Sequence, residues 1–188
     1  MGRRLSNVIG VDDGPFDRAH RGDVPLLGAV YASGRLDGVL TSKVRRDGAN
    51  ATERVAAMIA GSPFDPHIRA VLLGGIAFAG FNVVDLAGLH ARLGRPVLAV
   101  ARRAPNLKAI ERALCTRVPG GARKWRLIQQ AGAMEPVEGV WVQRAGLTLS
   151  EAAQLLRRHR QHGKLPEPLR VAHLLAGAWV TGVSHGGA

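Results

Sequence analysis

Two adjacent carboxylates, Asp12 and Asp13, directly follow the first apolar run of the chain at residues 6–11. Such a run is typical of a buried strand, and open α/β sheets usually present ligands where their central strands end. A carboxylate there could bind Mg²⁺ or Mn²⁺ and hold a scissile phosphate, because these hard cations prefer oxygen ligands. Asp12 is therefore the first candidate catalytic residue and metal ligand, and Asp13 could assist it. The letters at 12–15, Asp-Asp-Gly-Pro, also fit a simple turn.

Glu53 is the second candidate metal ligand. It comes three residues after Asn50, which is the spacing of a capping box at a helix start. Held there beside a sheet, its carboxylate could instead bind an ion that Asp12 also binds. The spacing does not choose between these alternatives. Two further pairs with the same spacing are predicted to be helix caps without chemistry: Asn82 with Asp85, and Thr148 with Glu151.

Basic side chains follow a later apolar run at residues 96–101. Arg102 and Arg103 stand at its end, where a guanidinium could neutralise the charge that develops on a phosphate during hydrolysis, although both could be surface charges. A second basic group suits contact with a nucleic-acid backbone, or is simply a solvated helix face. Its members are Arg157, Arg158, Arg160, His162, Lys164 and Arg170.

The charge balance favours a polyanionic partner. The chain has 26 Lys and Arg against 14 Asp and Glu, a net charge of +12. Residues 101–188 carry 14 of the basic and 5 of the acidic side chains, so the positive field belongs mainly to the second half. Such a field raises the local concentration of nucleic acid. The alternative is an Arg-rich surface that serves solubility or heat tolerance.

The glycine-rich segment 74–82 joins a predicted strand to a predicted helix. Its backbone could approach a phosphate closely, although tight turns also need glycine for packing alone. Phe78 and Phe81 lie on this segment and could act as wedges that unstack a base, whereas core packing explains them at least as well.

Length and composition predict one domain, residues 1–188, with 46% apolar content and a sizeable core. Cys115 is the only cysteine, which excludes a disulfide framework and a Cys-rich zinc site and favours a cytoplasmic location. No apolar run approaches the roughly 20 residues of a membrane span, so no membrane partner is predicted. Nothing in the sequence predicts an oligomeric state.

The apolar patterns predict an α/β fold. Strands are predicted at 6–11, 24–31, 39–45, 69–73, 96–101 and 137–143, and helices at 50–60, 82–93, 105–116, 124–132, 149–160 and 168–180. The first three strands form a meander in which a turn-rich joint at 32–38 links the second and third. A meander followed by alternating units predicts a mixed sheet of five to six strands flanked by helices, with parallel strands near its centre. An RNase H-like architecture has this order.

Three segments carry a family resemblance: VIGVDDGPF at 8–16, GIAFAGFNVVDLAGLH at 75–90 and GKLPEPLRVAHLLA at 163–176. Together they resemble the largely archaeal domain of unknown function number ninety-nine, a family of endonuclease dU-type proteins, over nearly the whole chain. That family is similar to endonuclease V, a metal-dependent repair nuclease of RNase H-like fold. The resemblance implies Mg²⁺ or Mn²⁺ as cofactor and nucleic acid as partner. DNA with deoxyuridine or deoxyinosine is implied in preference to RNA.

Position by position, Asp12 and Glu53 match the first-strand aspartate and the helix-start glutamate of endonuclease V. Gly74 stands where that enzyme has a third carboxylate, Arg102 replaces its lysine, and His173 replaces its last acidic residue. The resemblance thus implies Asp12, Glu53, Arg102 and His173 as catalytic residues. Asp12, Glu53 and His173 are the implied metal ligands, and histidine favours Mn²⁺ more than an oxygen-only site does.

Three functions are compatible with these residues. The first is a metal-dependent endonuclease acting on DNA with deaminated bases, which Asp12 and Glu53 support. The second is a catalytically degenerate nucleic-acid-binding module, which the glycine at position 74 favours. The third is a hydrolase of small nucleotides, for which binding would not depend on the length of the nucleic acid.

Overall fold

The computed structural model describes residues 5–185, which form nine strands and six helices. The strands are β1 (Asn7–Asp13), β2 (Asp23–Ala32), β3 (Arg35–Arg45), β4 (Ala70–Leu73), β5 (Ala77–Phe78), β6 (Asn82–Val83), β7 (Val97–Ala101), β8 (Glu135–Val137) and β9 (Val140–Ala145). The helices are α1 (Ala51–Ala60), α2 (Leu86–Leu93), α3 (Leu107–Arg117), α4 (Gly121–Gln130), α5 (Leu149–His159) and α6 (Glu167–Thr181). Every predicted helix and strand has a counterpart, and the α/β class is confirmed.

Seven strands form one mixed sheet in the order β3-β2-β1-β4-β7-β9-β8. β1, β4 and β7 are parallel neighbours at its centre, and β2 and β3 continue antiparallel from β1. This confirms the predicted meander and the central parallel strands. The sheet has seven strands rather than five or six, because β8 and β9 form a hairpin where the sequence predicts a single strand.

Tight turns account for the larger sheet. Ser33 and Gly34 have positive φ angles of 52° and 85°, and Glu138 and Gly139 have φ angles of 52° and 77°. Two consecutive residues with positive φ match the twist of a two-residue hairpin. β3 therefore begins at Arg35, and the predicted joint at 32–38 is wrong because most of it is paired in the sheet.

Different helices cover the two faces of the sheet. Ile9 and Val11 of β1 pack with α1 and α2 on one face, whereas Val8 packs with α5 and α6 on the other. Since neighbouring residues of a strand point to opposite faces, Asp12 is directed toward α6 and Asp13 toward α1. The two carboxylates at the end of β1 therefore have different surroundings.

Only one of the three predicted helix caps has the predicted form. Thr148 and Glu151 make the complete capping box at the start of α5. The Asn50 side chain makes no cap hydrogen bond, so the capping box with Glu53 is wrong. Asp85 is itself the N-cap of α2, where its Oδ1 atom accepts a hydrogen bond from Gly88 N at 2.8 Å.

Asn82 joins three segments from a fully buried position. Its Oδ1 atom accepts from Ala51 N at 2.9 Å, and its Nδ2 atom donates to Arg45 O at 2.9 Å and to Asn50 Oδ1 at 2.7 Å. α2 accordingly begins at Leu86 rather than at Asn82, because the Asn82 side chain is committed to the start of α1.

Candidate active site at the edge of the parallel strands

The strands β1, β4 and β7 end at one edge of the sheet, and this edge brings three predicted site positions together. Val11 of β1 is paired with Leu73 of β4, so Asp12 and Gly74 are the next positions along these strands. Arg102 directly follows β7. The carboxyl ends of parallel strands are the usual place for ligands in such sheets.

Asp12 is hydrogen-bonded to His173 of α6 at this edge. The His173 Nδ1 atom lies 2.9 Å from Asp12 Oδ2, and a protonated imidazole donates to the carboxylate there. The His173 side chain is 48% exposed, so a substrate can reach its ring. The hydrogen bond to Asp12 is the main cause that raises the pKa of His173, and the charge of Arg102 opposes it. Arg102 is therefore near enough for its charge to act on the imidazole.

Gly74 lies against the Asp12 carboxylate. A Cβ atom at position 74 would be 2.5 Å from Asp12 Oδ1 and 2.8 Å from Asp12 Cγ, which is closer than real Cβ contacts come. The position where the resemblance implies a third carboxylate thus adjoins Asp12. In this chain the Asp12 carboxylate takes the space that a side chain at position 74 would need.

Two glycines let α6 lie close enough to present His173. A Cβ atom at Gly10 would overlap the backbone of Pro168, and one at Gly14 would be 2.7 Å from Val180 Cγ2. Close helix packing at both ends of this contact fixes His173 over Asp12, since rigid elements place side chains more precisely than loops do.

Asp13 belongs to the same edge but faces the other side of the sheet. Its Oδ2 atom accepts a hydrogen bond from Ala79 N at 2.7 Å. The pKa of Asp13 is raised to about 6, mainly by burial; the Ala79 bond lowers it, and the nearby charge of Asp12 also raises it. The sequence predicted only that Asp13 could assist Asp12. Its partial burial beside a second carboxylate, which the structure reveals, supports a place in the site.

The buried carboxylate of Asp13 should lower stability at neutral pH. Its pKa of about 6 lies above the ordinary 3.8, so the folded state binds the proton more tightly. Stability is therefore lost as pH rises from about 4 to about 6. In buffer with EDTA, we expect Asp13→Asn to raise the free energy of unfolding by about 2 kcal/mol at pH 8, and by much less near pH 4.

Urea denaturation at several pH values measures this effect, and Asp37→Asn on exposed β3 is the matched control. Asn can still accept the Ala79 hydrogen bond, so the comparison isolates the charge. Equal stability of Asp13→Asn and wild type at pH 8 would show that the charge at position 13 carries no penalty.

Glu53 lies apart from the Asp12–His173 pair. It is exposed in the first turn of α1 and lines a cleft with Asp47, Asp85 and Lys124. α1 covers one face of the sheet and α6 the other, which separates Glu53 from His173. Within residues 5–185 no three His, Cys, Asp or Glu side chains are grouped to hold a metal. The predicted cluster of Asp12, Glu53 and His173 is thus not assembled.

The chemistry of the donors at the strand edge still fits one hard cation. Mg²⁺ is commonly held by one or two carboxylates, with water and substrate phosphate as its other ligands. Asp12 and Asp13 supply two neighbouring carboxylates, and the charge of Asp12 contributes to the raised pKa of Asp13, so a cation would relieve that repulsion. His173 is already hydrogen-bonded to Asp12 through Nδ1. These donors therefore suit a cation that takes most of its ligands from water and substrate, and not one held by protein ligands alone.

Several predicted nucleic-acid contacts are engaged within the protein. Arg170 donates to the buried Glu167 through Nε at 2.8 Å and through Nη2 at 2.5 Å, and this pairing lowers the pKa of Glu167. Arg157 donates to Glu138 Oε1 at 2.6 Å. The Glu167–Arg170 pair has the i,i+3 spacing of helical ion pairs, which the sequence displays. Of the remaining predicted contacts, Arg160 Nη1 lies 4.0 Å from Glu138 Oε2, and His162 Nδ1 lies 3.8 Å from Glu167 Oε2. Four more are exposed: Arg102, Arg103, Arg158 and Lys164.

An apolar cavity of about 240 Å³ adjoins the strand edge. Gly75 and Ala101 line it, each next in the chain to a strand-end position described above, and Phe81 lines it with the buried Gln143. Phe78 is fully buried in the core, which favours the packing alternative for that residue. The glycine-rich connector was the only sequence signal for this cavity.

The fold is that of endonuclease V, which is RNase H-like, and this confirms the predicted architecture. Endonuclease V of Ciona intestinalis, in complex with a 24mer DNA containing an inosine followed by a ribo-adenosine, has a TM-score of 0.57 and 12% identity, over 90% of this chain and 83% of that chain. The catalytic domain of human endonuclease V has a TM-score of 0.57 and 15% identity, over 90% of this chain and 80% of that chain.

The chain belongs to the Endonuclease dU family, whose model matches residues 4–180. It is 56% identical to a UPF0215 protein of Deinococcus radiodurans over 97% of this chain and 93% of that relative. A UPF0215 protein of Methanothermobacter thermautotrophicus is 41% identical over 96% and 91%. A crystal structure of a protein of unknown function from Archaeoglobus fulgidus has a TM-score of 0.85 and 30% identity, over 93% and 97%. The family predicted from the three motifs is confirmed.

Proposed function

We propose that this protein is an endonuclease that hydrolyses phosphodiester bonds in DNA at deaminated bases such as deoxyuridine or deoxyinosine. The observation that carries the proposal is the hydrogen-bonded pair of Asp12 and His173 at the end of the parallel strands, with Arg102 beside it. Membership of the Endonuclease dU family and the net charge of +12 support it.

Each of these side chains has a definite task in phosphodiester hydrolysis. Asp12 holds the imidazole of His173 through Nδ1 and favours its protonated form by raising its pKa, so that Nε2 can donate a proton to the leaving oxygen. Arg102 neutralises charge on the non-bridging oxygens of the scissile phosphate. The carboxylate of Asp12 thereby orients the acid.

Asp12 and Asp13 would hold Mg²⁺ or Mn²⁺ at the same edge. When bound, such an ion lowers the pKa of a water ligand and offsets the charge of the phosphate. Glu53 lines a separate cleft. It would be a third ligand only if α1 moved toward the strand edge when DNA binds.

The apolar cavity beside the site gives a place for an extruded base. Enzymes that read a damaged base take it out of the stack and desolvate it against aromatic and apolar groups. Phe81 offers an aromatic wall. The buried Gln143 also lines the cavity, and its Nε2 atom donates to Gly132 O at 2.6 Å. A deaminated base pairs weakly in DNA, so its extrusion costs less than that of a matched base.

Cleavage of a panel of labelled oligonucleotides tests the reaction and the substrate. The panel contains one deoxyuridine, one deoxyinosine or no modified base, in DNA and in RNA, each with Mg²⁺, Mn²⁺ or EDTA. We expect metal-dependent nicking near the modified base in DNA. Equal nicking of unmodified DNA would contradict the base preference, and no nicking on any member would contradict the nuclease.

A catalytically degenerate binding module is the second candidate, and Gly74 favours it. This position has no side chain, and residues 5–185 hold no three-residue metal cluster. Such a module would bind DNA with strong salt dependence and cleave none of the panel.

No helix within residues 5–185 combines the length and apolarity needed to cross a membrane. A cytoplasmic location remains part of the proposal.

A further inference from the structure

Two exposed aromatic side chains lie beyond His173 toward the C-terminal end of α6. Trp179 is 65% exposed and Phe16 is 36% exposed. Both line a groove of about 520 Å³ between the segment after β1 and the last turns of α6. An exposed tryptophan leaves a large apolar area in contact with water, so the stabilisation from its burial is lost. Exposed apolar patches of this kind mark binding surfaces.

Trp179 stands between two grooves. The groove described above lies on one side, and a second groove of about 360 Å³ lies on the other. Lys43 and Arg54 line the second groove together with Trp179. The indole therefore has cationic neighbours on the side away from Phe16.

Phe16 is held in place by Arg46. The Arg46 guanidinium lies 5.5 Å from the centre of the Phe16 ring, which is a cation–π distance. Arg46 Nη1 also donates to Arg18 O at 2.6 Å and to His20 O at 2.5 Å. These bonds tie the segment that carries Phe16 to the end of β3, so this aromatic ring is already positioned.

Lys43 and Arg54 line the second groove beside Trp179, and Arg46 lies against Phe16, whereas two carboxylates, Asp17 and Asp23, line the groove that both rings share. Asp23 is paired with Arg45 at 4.0 Å, and Arg46 is paired with Asp47 at 3.4 Å. Aromatic rings interleaved with cations are the surface that binds single-stranded nucleic acid, because bases stack and phosphates are neutralised. The cations beside the rings are Lys43 and Arg54 at Trp179, and Arg46 at Phe16.

We propose that Trp179 and Phe16 form a stacking platform for unpaired nucleobases of the DNA strand that crosses the active site. Trp179 follows His173 by six residues on α6, a distance of about 9 Å along a helix. Six residues also turn the side chain about 120° around the helix axis. A stacked strand advances about 3.4 Å per nucleotide, so the platform lies a few nucleotides from the scissile phosphate. The position of the strand rests on the proposed function, whereas the stacking itself does not.

Binding of two matched oligomers in EDTA tests the platform. One is a fluorescein-labelled thymidine 12-mer, and the other has the same phosphates on abasic spacers. We expect Trp179→Ala to weaken binding of the thymidine oligomer about 10-fold and to change binding of the abasic oligomer less than about 2-fold. Trp179→Phe should retain most of the affinity, since its ring can still stack. Leu36→Ala, at another exposed apolar residue, is the control and should bind as wild type does.

The other outcomes overturn the platform. Equal weakening on both oligomers would assign Trp179 a general structural role. A lower molar mass of Trp179→Ala in light scattering, with unchanged affinity, would assign the patch to contact between two copies of the chain. Binding of neither oligomer by wild type would also overturn it. Cleavage is measured separately. Cleavage with binding that does not depend on Trp179 would overturn only the platform, and binding that depends on Trp179 without cleavage would overturn only the nuclease.

Discussion

His173→Gln should lower the single-turnover rate of strand cleavage by about 10²- to 10⁴-fold, the range of a lost general acid. In wild type, Asp12 raises the pKa of His173 through the 2.9 Å hydrogen bond, which favours the protonated ring that a general acid needs. Glutamine can still contact Asp12, but it cannot donate a proton to the leaving oxygen. The oligonucleotide should bind nearly as well to the variant, because the loss falls on the transition state.

The pH profile separates an acid from a merely structural residue. Since activity needs the protonated ring, the wild-type rate should fall as pH rises through the raised pKa of His173, which lies above its ordinary 6.5. His173→Gln should lose this alkaline limb, whereas His67→Gln, at an exposed histidine, should keep it. A normal rate with an intact limb in His173→Gln would remove the residue from the mechanism.

Gly74→Ala should lower the cleavage rate by about 10²-fold. The new Cβ atom would lie 2.5 Å from Asp12 Oδ1, so the carboxylate must move away from its place beside His173. A misplacement of about 1 Å in a catalytic group is enough for a loss of this size. Gly74 does not have a positive φ, so alanine adds no backbone strain there.

Gly22→Ala is the matched control for this substitution. A Cβ atom at Gly22 would come no closer than 3.4 Å to a neighbour, His20 Nε2, and we expect full activity. Free energies of unfolding for both variants, measured in urea, exclude a folding defect. Full activity of a folded Gly74→Ala variant would show that the position of the Asp12 carboxylate does not limit catalysis.

The sequence predicted the elements of this fold well because its apolar runs are short and clearly bounded. The first strand, predicted at 6–11, and the parallel strands at the centre are confirmed, and β1 continues through Asp12 to Asp13. The second strand of the β8–β9 hairpin and the early start of β3 at Arg35 were missed. Both depend on two-residue turns whose first residues, Ser33 and Glu138, have positive φ angles. Serine and glutamate do not predict such turns from the sequence, as glycine does.

The site was harder to predict because its parts are far apart in the chain. The contact between Asp12 and His173 spans 161 positions, and only the family resemblance pointed to His173. Glu53 seemed a partner of Asp12, but the sequence did not show that α1 and α6 cover opposite faces of the sheet. The sequence predicted only that Asp13 could assist Asp12, because alternation points the two side chains to opposite faces. Its burial became visible only in the structure.

The most direct test of the active site is single-turnover cleavage of deoxyuridine-containing DNA by wild type and Asp12→Asn, with binding measured in the same samples. Asparagine keeps the size of the side chain but removes the negative charge. That charge stabilises the protonated form of His173 and attracts a cation. We expect metal-dependent nicking by wild type and by the control Asp37→Asn, no detectable nicking by Asp12→Asn, and similar binding by all three. Nicking by Asp12→Asn at the wild-type rate would contradict an active site at this edge of the sheet.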